Sequence, residues 1–245
     1  MTRSARRVPK KKGWPLWAAS LLLLIAVSAG AVPTLLGDPE AGAASAQADP
    51  EPGTALAALE SLEVKGKAPQ TGYEREGQFG TPWLDVDLNG CDTRNDILAR
   101  DLTELELSGP CKVLGGVLDE PYVGVEVDFV RGQDTSSLVQ IDHVVALSNA
   151  WQTGAQQLSF EQRVKLANDP LNLLAVDGRS NSQKGAGDAA TWLPPVKTFR
   201  CAYVARQVSV KASYGLWVTA AEREAMSRVL AGCPDEPAMA SALAS

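Results

Sequence analysis

The sequence predicts an α+β domain in which two short strands and a helix carry the chemistry. Three observations predict it. The branched apolar runs "SLVQIDHVVAL" and "LNLLAV" have strand length and stand among helices with recognisable caps. The stretch "CKVLGGVLDEPYVGVEVDFV" reads as a hairpin turning near Asp119 to Gly124. Four cysteines, Cys91, Cys111, Cys201 and Cys233, are an even set with no CxxC pair, which points to disulfides rather than a zinc site.

Residues 1–37 carry Arg3, Arg6, Arg7, Lys10, Lys11 and Lys12, with an apolar run from Trp14 to Leu36 that contains no acid. This is a targeting segment. Ala29-Gly30-Ala31 offers a small-x-small cleavage site, and the run is also long enough to span a bilayer. A cleaved signal peptide and an uncleaved membrane anchor through residues 14–36 are both open, and either puts the rest of the chain outside the cytoplasm. Residues 38–70, rich in Ala, Gly, Pro and acids, read as a flexible spacer, and 234–245 as a disordered tail. One domain, 71–233, lies between them, without internal repeats.

Within it, Asp92 or Thr93 caps a short helix carrying Ile97, Leu98 and Leu102, and the hairpin follows. After the first strand, Ser159 and Gln162 form a capping box for a helix that Asn168-Asp169-Pro170 stops. The second strand leads through the turn "DGRS" into a helix opening near Asn181. Thr219 and Glu222 cap a last helix with Met226, Val229 and Leu230 inward. Of the three pairings open to four cysteines, the local one (Cys91 with Cys111, Cys201 with Cys233) is preferred because each pair brackets a compact unit.

His143 is the chain's single histidine, and it directly follows Asp142. A lone imidazole is by itself more often a satisfied core residue than a catalyst. Hydrolysing a phosphodiester, however, needs a base for water and a cation for the developing charge, which a neutral imidazole and a hard divalent ion on oxygen ligands provide. Asp142 supplies one such oxygen, since a carboxylate amid "VQIDHVV" is costly to bury unpaired. The Asn181 amide offers a second, a helix N-cap being its alternative. Such ligands favour Mg²⁺ or Mn²⁺, whereas catalytic zinc needs about three protein ligands, often histidines.

"IDHVVAL", "NDPLNLLAV" and "SNSQKGAGD", in this order, resemble the HNH nucleases of the ββα-metal fold. They are most similar to the branch that includes the C-terminal part of the GmrSD restriction enzymes, in its secreted, stand-alone bacterial form. The motif-bearing core spans residues 138–192, with looser likeness from "GCDTRNDIL" through "ATWLPP" to "KASYGL". The resemblance implies a ββα-metal core braced by extra helices, a hairpin and disulfides. It also implies His143 as general base, Asp142 and Asn181 as metal ligands, and Asn172 as the residue that holds the loop and the base. Lys184 matches a basic position of the motif. Asn181 departs from the histidine found there in many members, and the cysteine pairs of zinc-bearing members are missing.

Lys184 and Arg179 are candidate phosphate contacts, with solvated surface charge as the alternative, and Arg94 either lines the cleft or holds the hairpin. Beyond residue 37 there are 17 basic and 29 acidic residues, a net charge of −12 that opposes tight binding of a polyanion. Residues 71–129 hold 4 basic and 13 acidic side chains, whereas 130–211 hold 9 and 6, so the motif lies in the basic half. The expected substrate is nucleic acid, DNA before RNA, bound weakly and with little sequence preference. The alternative is a non-catalytic envelope-associated binding module on the same fold; a hydrolase of wall polymers lacks any GxSxG or acid pair. No protein partner is inferable.

Overall fold

Alternating and continuous apolar runs build two antiparallel sheets, and capped amphipathic segments wrap them. The computed structural model describes residues 50–244. In chain order they form α1 (Ala55–Ser61), α2 (Arg75–Phe79), α3 (Thr93–Asp101), β1 (Leu102–Ser108), β2 (Lys112–Glu120), β3 (Val125–Val130), β4 (Val139–His143), α4 (Leu147–Gln152), α5 (Phe160–Asn168), β5 (Leu173–Asp177), α6 (Gly178–Lys184), α7 (Arg200–Ser213) and α8 (Ala220–Leu230). The first sheet is the meander β1-β2-β3, and the second is the pair β4-β5, both antiparallel. Residues 1–37, with the signal or anchor expected there, lie outside the described residues. Among the described residues no helix is long and apolar enough to cross a membrane.

The β4-β5 ribbon is covered on both faces, which is why its sequence is a continuous apolar run rather than an alternation. Leu174 and Val176 of β5 face a cluster with Tyr203, Val208, Met226 and Leu230 from α7 and α8. Leu173 and Ala175, one residue out of phase, join Ile97 and Leu98 of α3 and Phe129 of β3. The outer edge of β5 is closed by α3: Arg100 donates to the Pro170 and Leu173 carbonyls (2.8 and 2.7 Å), and Ala175 N–H donates to Asp101 Oδ2 (2.8 Å). A free edge next to the site is thereby removed.

The hairpin falls where its sequence placed it, as β2 and β3. Both capping boxes form, Ser159 with Gln162 on α5 and Thr219 with Glu222 on α8. The disulfides are the local pairs, Cys91–Cys111 and Cys201–Cys233. Four expectations need correction. The helix expected to carry Leu102 ends at Asp101, and Leu102 starts β1, an element not foreseen. α6 opens at Gly178 rather than near Asn181, because Asp177 accepts from Ser180 N–H at 2.8 Å and is the N-cap; Asn181 therefore sits in the helix body.

The described part of the expected spacer, 50–70, is no spacer. Thr54 caps α1, whose Ala55 and Leu59 are fully buried in the α7–α8 cluster. Val64 bridges Val218. The tail is also ordered as far as it is described: Ala55 N–H donates to Glu236 O (2.8 Å), Ala238 N–H to Gly53 O (2.9 Å), and Met239 N–H to Ser209 Oγ (2.9 Å). The two ends close on each other over α7, a non-local pairing that composition alone does not reveal.

Candidate active site

His143 is the last residue of β4, where the strand breaks into the loop before α4. There the alternation of side chains relaxes, and Asp142 and His143 line one cleft of about 280 Å³ together with Gln140, Ser148, Asn181 and Arg75. The three residues expected to converge, Asp142, His143 and Asn181, are thus brought together.

The imidazole is oriented by a chain of contacts. Nε2 lies 2.8 Å from the Ala167 carbonyl oxygen, which can only accept, so Nε2 carries the proton and Nδ1 keeps a free lone pair. The Trp83 indole lies nearly parallel to the ring, 16° between planes and 6.2 Å between centroids. Burial, with Arg75 and Lys184 nearby, pushes the imidazole pKa down to about 3 against the lift from the Ala167 hydrogen bond. It is therefore neutral across the physiological range.

Asn172, fully buried, ties the pieces around that ring. Its Oδ1 accepts from Val145 N–H (2.8 Å), and its Nδ2 donates to the carbonyls of Val145 and Leu166 (both 3.3 Å). The loop after β4 and the end of α5, which supplies the Ala167 carbonyl, are thereby joined through one side chain.

Asp142 is buried, and both its oxygens are engaged. Tyr122 O–H donates to Oδ2 (2.6 Å), and Lys184 Nζ donates to Oδ1 (2.9 Å) and to the His143 carbonyl (2.8 Å). Desolvation pushes the Asp142 carboxyl up, while Lys184 and Tyr122 pull against it. Tyr122 is itself held well above its ordinary value by burial and by Asp142, so it stays a donor. Tyr122 arrives from the turn after β2, which Glu120 fixes by accepting from Val123 N–H (2.7 Å) and Asp177 N–H (3.2 Å).

The expected phosphate contacts fare differently. Lys184 is buried in its ion pair with Asp142 and holds the carboxylate rather than facing substrate, because α6 packs on β4 and β5 and its last residue reaches the end of β4. Arg94 donates to the Val139 carbonyl (3.1 Å) and secures the entry to β4, so it is not a cleft residue. Arg179 is exposed on α6 and does not line the cleft. The cation that does line it is Arg75, at the start of α2. Arg75, Trp83 and Tyr122 precede the motif in sequence, and no spacing rule links them to it.

Two residues could offer oxygens to a divalent ion. Each Asp142 oxygen has spent one acceptor site and retains another, and Asn181 donates its amide N–H to Gln140 Oε1 (2.9 Å), which leaves Oδ1 to accept. Two protein ligands in an open cleft suit an ion that keeps most of its water, as Mg²⁺ does. Among the described residues, one group of three His, Cys, Asp or Glu atoms lies close enough to share an ion, Cys201, Cys233 and Glu236, and its sulfurs are already joined as a disulfide.

A family model described as GmrSD restriction endonucleases, C-terminal domain, matches residues 92–229. A protein of Arthroderma benhamiae described as an uncharacterized secreted protein is 37% identical over 186 residues, covering 75% of this chain and 87% of that protein. No solved structure matches the chain.

Proposed function

The chain belongs to the C-terminal domain family of the GmrSD restriction endonucleases, and on that footing we propose that it is an exported, metal-dependent HNH endonuclease. It hydrolyses phosphodiester bonds of nucleic acid, DNA first, with little sequence preference. The observation that carries the reading is the shared cleft of Asp142, His143 and Asn181, with the imidazole locked in the tautomer that leaves Nδ1 free. The secreted relative and the two disulfides support export.

In this mechanism His143 Nδ1 takes a proton from a water molecule, whose oxygen bonds to phosphorus as the bond to the leaving oxygen breaks. Asp142 and Asn181 would hold the divalent ion, Mg²⁺ or Mn²⁺, whose charge would offset that on the phosphate and leaving group. Lys184 and Tyr122 fix Asp142 so that its remaining lone pairs face the cleft. Arg75 pairs with the phosphate. Burial is the larger cause of the suppressed imidazole basicity, and the arriving anion offsets only the part owed to Arg75, so basicity rises in that measure as substrate binds.

The full chain should nick plasmid DNA with Mg²⁺ or Mn²⁺ and stop in EDTA. His143→Ala should lower cutting by roughly 10²–10⁴-fold while its circular dichroism and melting stay those of a folded protein. A fully active His143→Ala protein would refute the mechanism. One observation favours a second reading, a binding module without catalysis: Asp142 already has a cation, Lys184, in place. Divalent-ion binding without any cleavage would select it.

A further inference from the structure

The stretch Asp85–Asp96, "DVDLNGCDTRND", has carboxylate or amide oxygens at its first, third, fifth and twelfth positions and a glycine at its sixth. A twelve-residue loop that wraps Ca²⁺ has this spacing: side-chain oxygens at positions one, three and five, a backbone carbonyl at seven, a glycine at six for the sharp turn, and a bidentate glutamate at twelve, where this chain has the shorter Asp96. The folded segment brings these residues onto one turn without drawing the three carboxylates to a single point, because the Asn89 Nδ2 stands between Asp87 and Asp96 and its Oδ1 accepts from Cys91 N–H (2.7 Å). Gly90 has φ 92°, and the exposed Leu88 has φ 59°, a conformation unfavourable for a branched side chain. Asp85 accepts from the backbone N–H of Asn89 (3.1 Å) and Gly90 (2.9 Å), and the Asn89 amide reaches Asp87 (3.2 Å) and Asp96 (3.1 Å). Cys91, the seventh residue, is pinned by its disulfide to Cys111. Among the described residues none of these three aspartates is in an ion pair.

An independent observation comes from another element. Asn168, at the end of α5, is 1% exposed; its Nδ2 donates to the Val164 carbonyl (3.0 Å), but its Oδ1 has no donor. Asn168 lines a cavity of about 100 Å³ with Val86, Asp87, Thr93 and Asp96. A buried oxygen without a donor, in a cavity shared with two carboxylates that have no cation among the described residues, is what a hydrated cation resolves: the carboxylates bind the ion, and a water on the ion donates to the amide oxygen.

We propose that Asp85–Asp96 is a second cation site, separate from the cleft, which closes on Ca²⁺ through Asp85, Asp87, Asn89, the Cys91 carbonyl and Asp96 as the Asn89 amide turns over, its nitrogen leaving Asp87 and Asp96 and its oxygen leaving Cys91 N–H, with an ion-bound water on Asn168 Oδ1. Ca²⁺ is the ion because a loop rich in carboxylates supplies the six to eight oxygens it takes, more than Mg²⁺ accepts from a protein. The site stands whether or not the cleft is catalytic. The segment joins Trp83, which lies along the His143 ring, to α3, which closes the edge of β5. Binding therefore fixes the segment that carries Trp83 against the His143 ring.

Terbium is the probe, because Trp83 lies two residues before Asp85 and can sensitise its emission. With the full chain, tryptophan-excited Tb³⁺ emission should appear and be displaced by Ca²⁺ at about 0.1–1 mM but not by equal Mg²⁺. Ca²⁺ at ten times its dissociation constant should raise the melting temperature by about 3–6 °C. The double variant Asp85→Asn/Asp96→Asn should lose both effects, and Asp142→Asn should keep both; Asp87→Asn replaces the double variant if that one folds poorly. Absence of displaceable emission, absence of a Ca²⁺-dependent melting shift, or persistence of either in the loop variants overturns the proposal. Loss of both in Asp142→Asn alone would assign the ion to the cleft and overturn it equally.

Discussion

His143 shows how one residue's surroundings set its chemistry. Its folded pKa, about 3, lies below the ordinary 6.5 because burial and two nearby cations disfavour the charged ring. Above the ordinary value both folded and unfolded chains carry a neutral ring, and the full stability is present. As pH falls below it, the unfolded chain takes up a proton that the folded chain refuses, so stability is lost progressively down to the folded value. Between pH 7 and about pH 4.5 this single group should cost about 2–3 kcal/mol. His143→Gln keeps an N–H for Ala167 and cannot titrate, so urea unfolding of the variant should lack that excess loss. Equal acid losses in the two proteins would show that the ring protonates in place. As the chain has one histidine, no other imidazole confuses the comparison.

At the scale of elements, the site is an assembly of strand end, loop and helix end held by Asn172. Asn172→Ala would remove the acceptor of Val145 N–H and a donor to Leu166 O in a fully buried place. The expected loss is about 2–3 kcal/mol of stability. Any cleavage activity should fall further than Mg²⁺ binding does, because the Ala167 carbonyl that orients His143 loses its anchor while Asp142 and Asn181 do not. Unfolding curves and calorimetric titration of Mg²⁺ on the same sample separate the two; unchanged stability would contradict the hydrogen-bond account. Elements with local signals were legible in the sequence: capping boxes named α5 and α8, the branched runs named β4 and β5, and the hairpin turn named β2 and β3. α7 was not. It has no side-chain cap, and its inward face mixes Val204 and Val208 with the buried Gln207, Ser209 and Lys211. That polar set is resolved only by tertiary partners: Gln207 donates to the Val144 carbonyl (3.0 Å), and Lys211 pairs with Glu222 of α8 (3.1 Å). The same reason hid Arg75 and Tyr122, whose roles exist only through residues tens of positions away.

For the molecule as a whole, sequence composition drew the boundary of the domain too tightly. Alanine and glycine content marked residues 38–70 as a spacer, yet Ala55, Leu59 and Leu62 are buried against α7 and α8, and the strand-like contact of Val64 with Val218 extends the attachment. The C-terminal stretch closes over the same helix through Met239 and Ser241, the latter donating to Asp169, which also accepts from Tyr214 O–H (2.7 Å). A fragment cut to residues 71–233 would expose the apolar faces of α7 and α8 and leave these polar groups to water. Burying a leucine is worth about 1.5–3 kcal/mol, so losing two of them with their alanine neighbours removes roughly 4–6 kcal/mol. That is a large share of the 5–15 kcal/mol by which a domain of this size is stable. The Cys201–Cys233 bridge, which stabilises by about 3–4 kcal/mol on loop-entropy grounds, is common to both fragments and holds α7 to α8, so the shorter one depends on it for most of the stability it keeps. The 71–233 fragment should therefore fold only under oxidising conditions, with a melting temperature at least about 10 °C below that of 50–245. Differential scanning calorimetry of both fragments, with and without reductant, decides it: matched melting temperatures would mean that α1 and the tail lie on the domain without contributing to its stability.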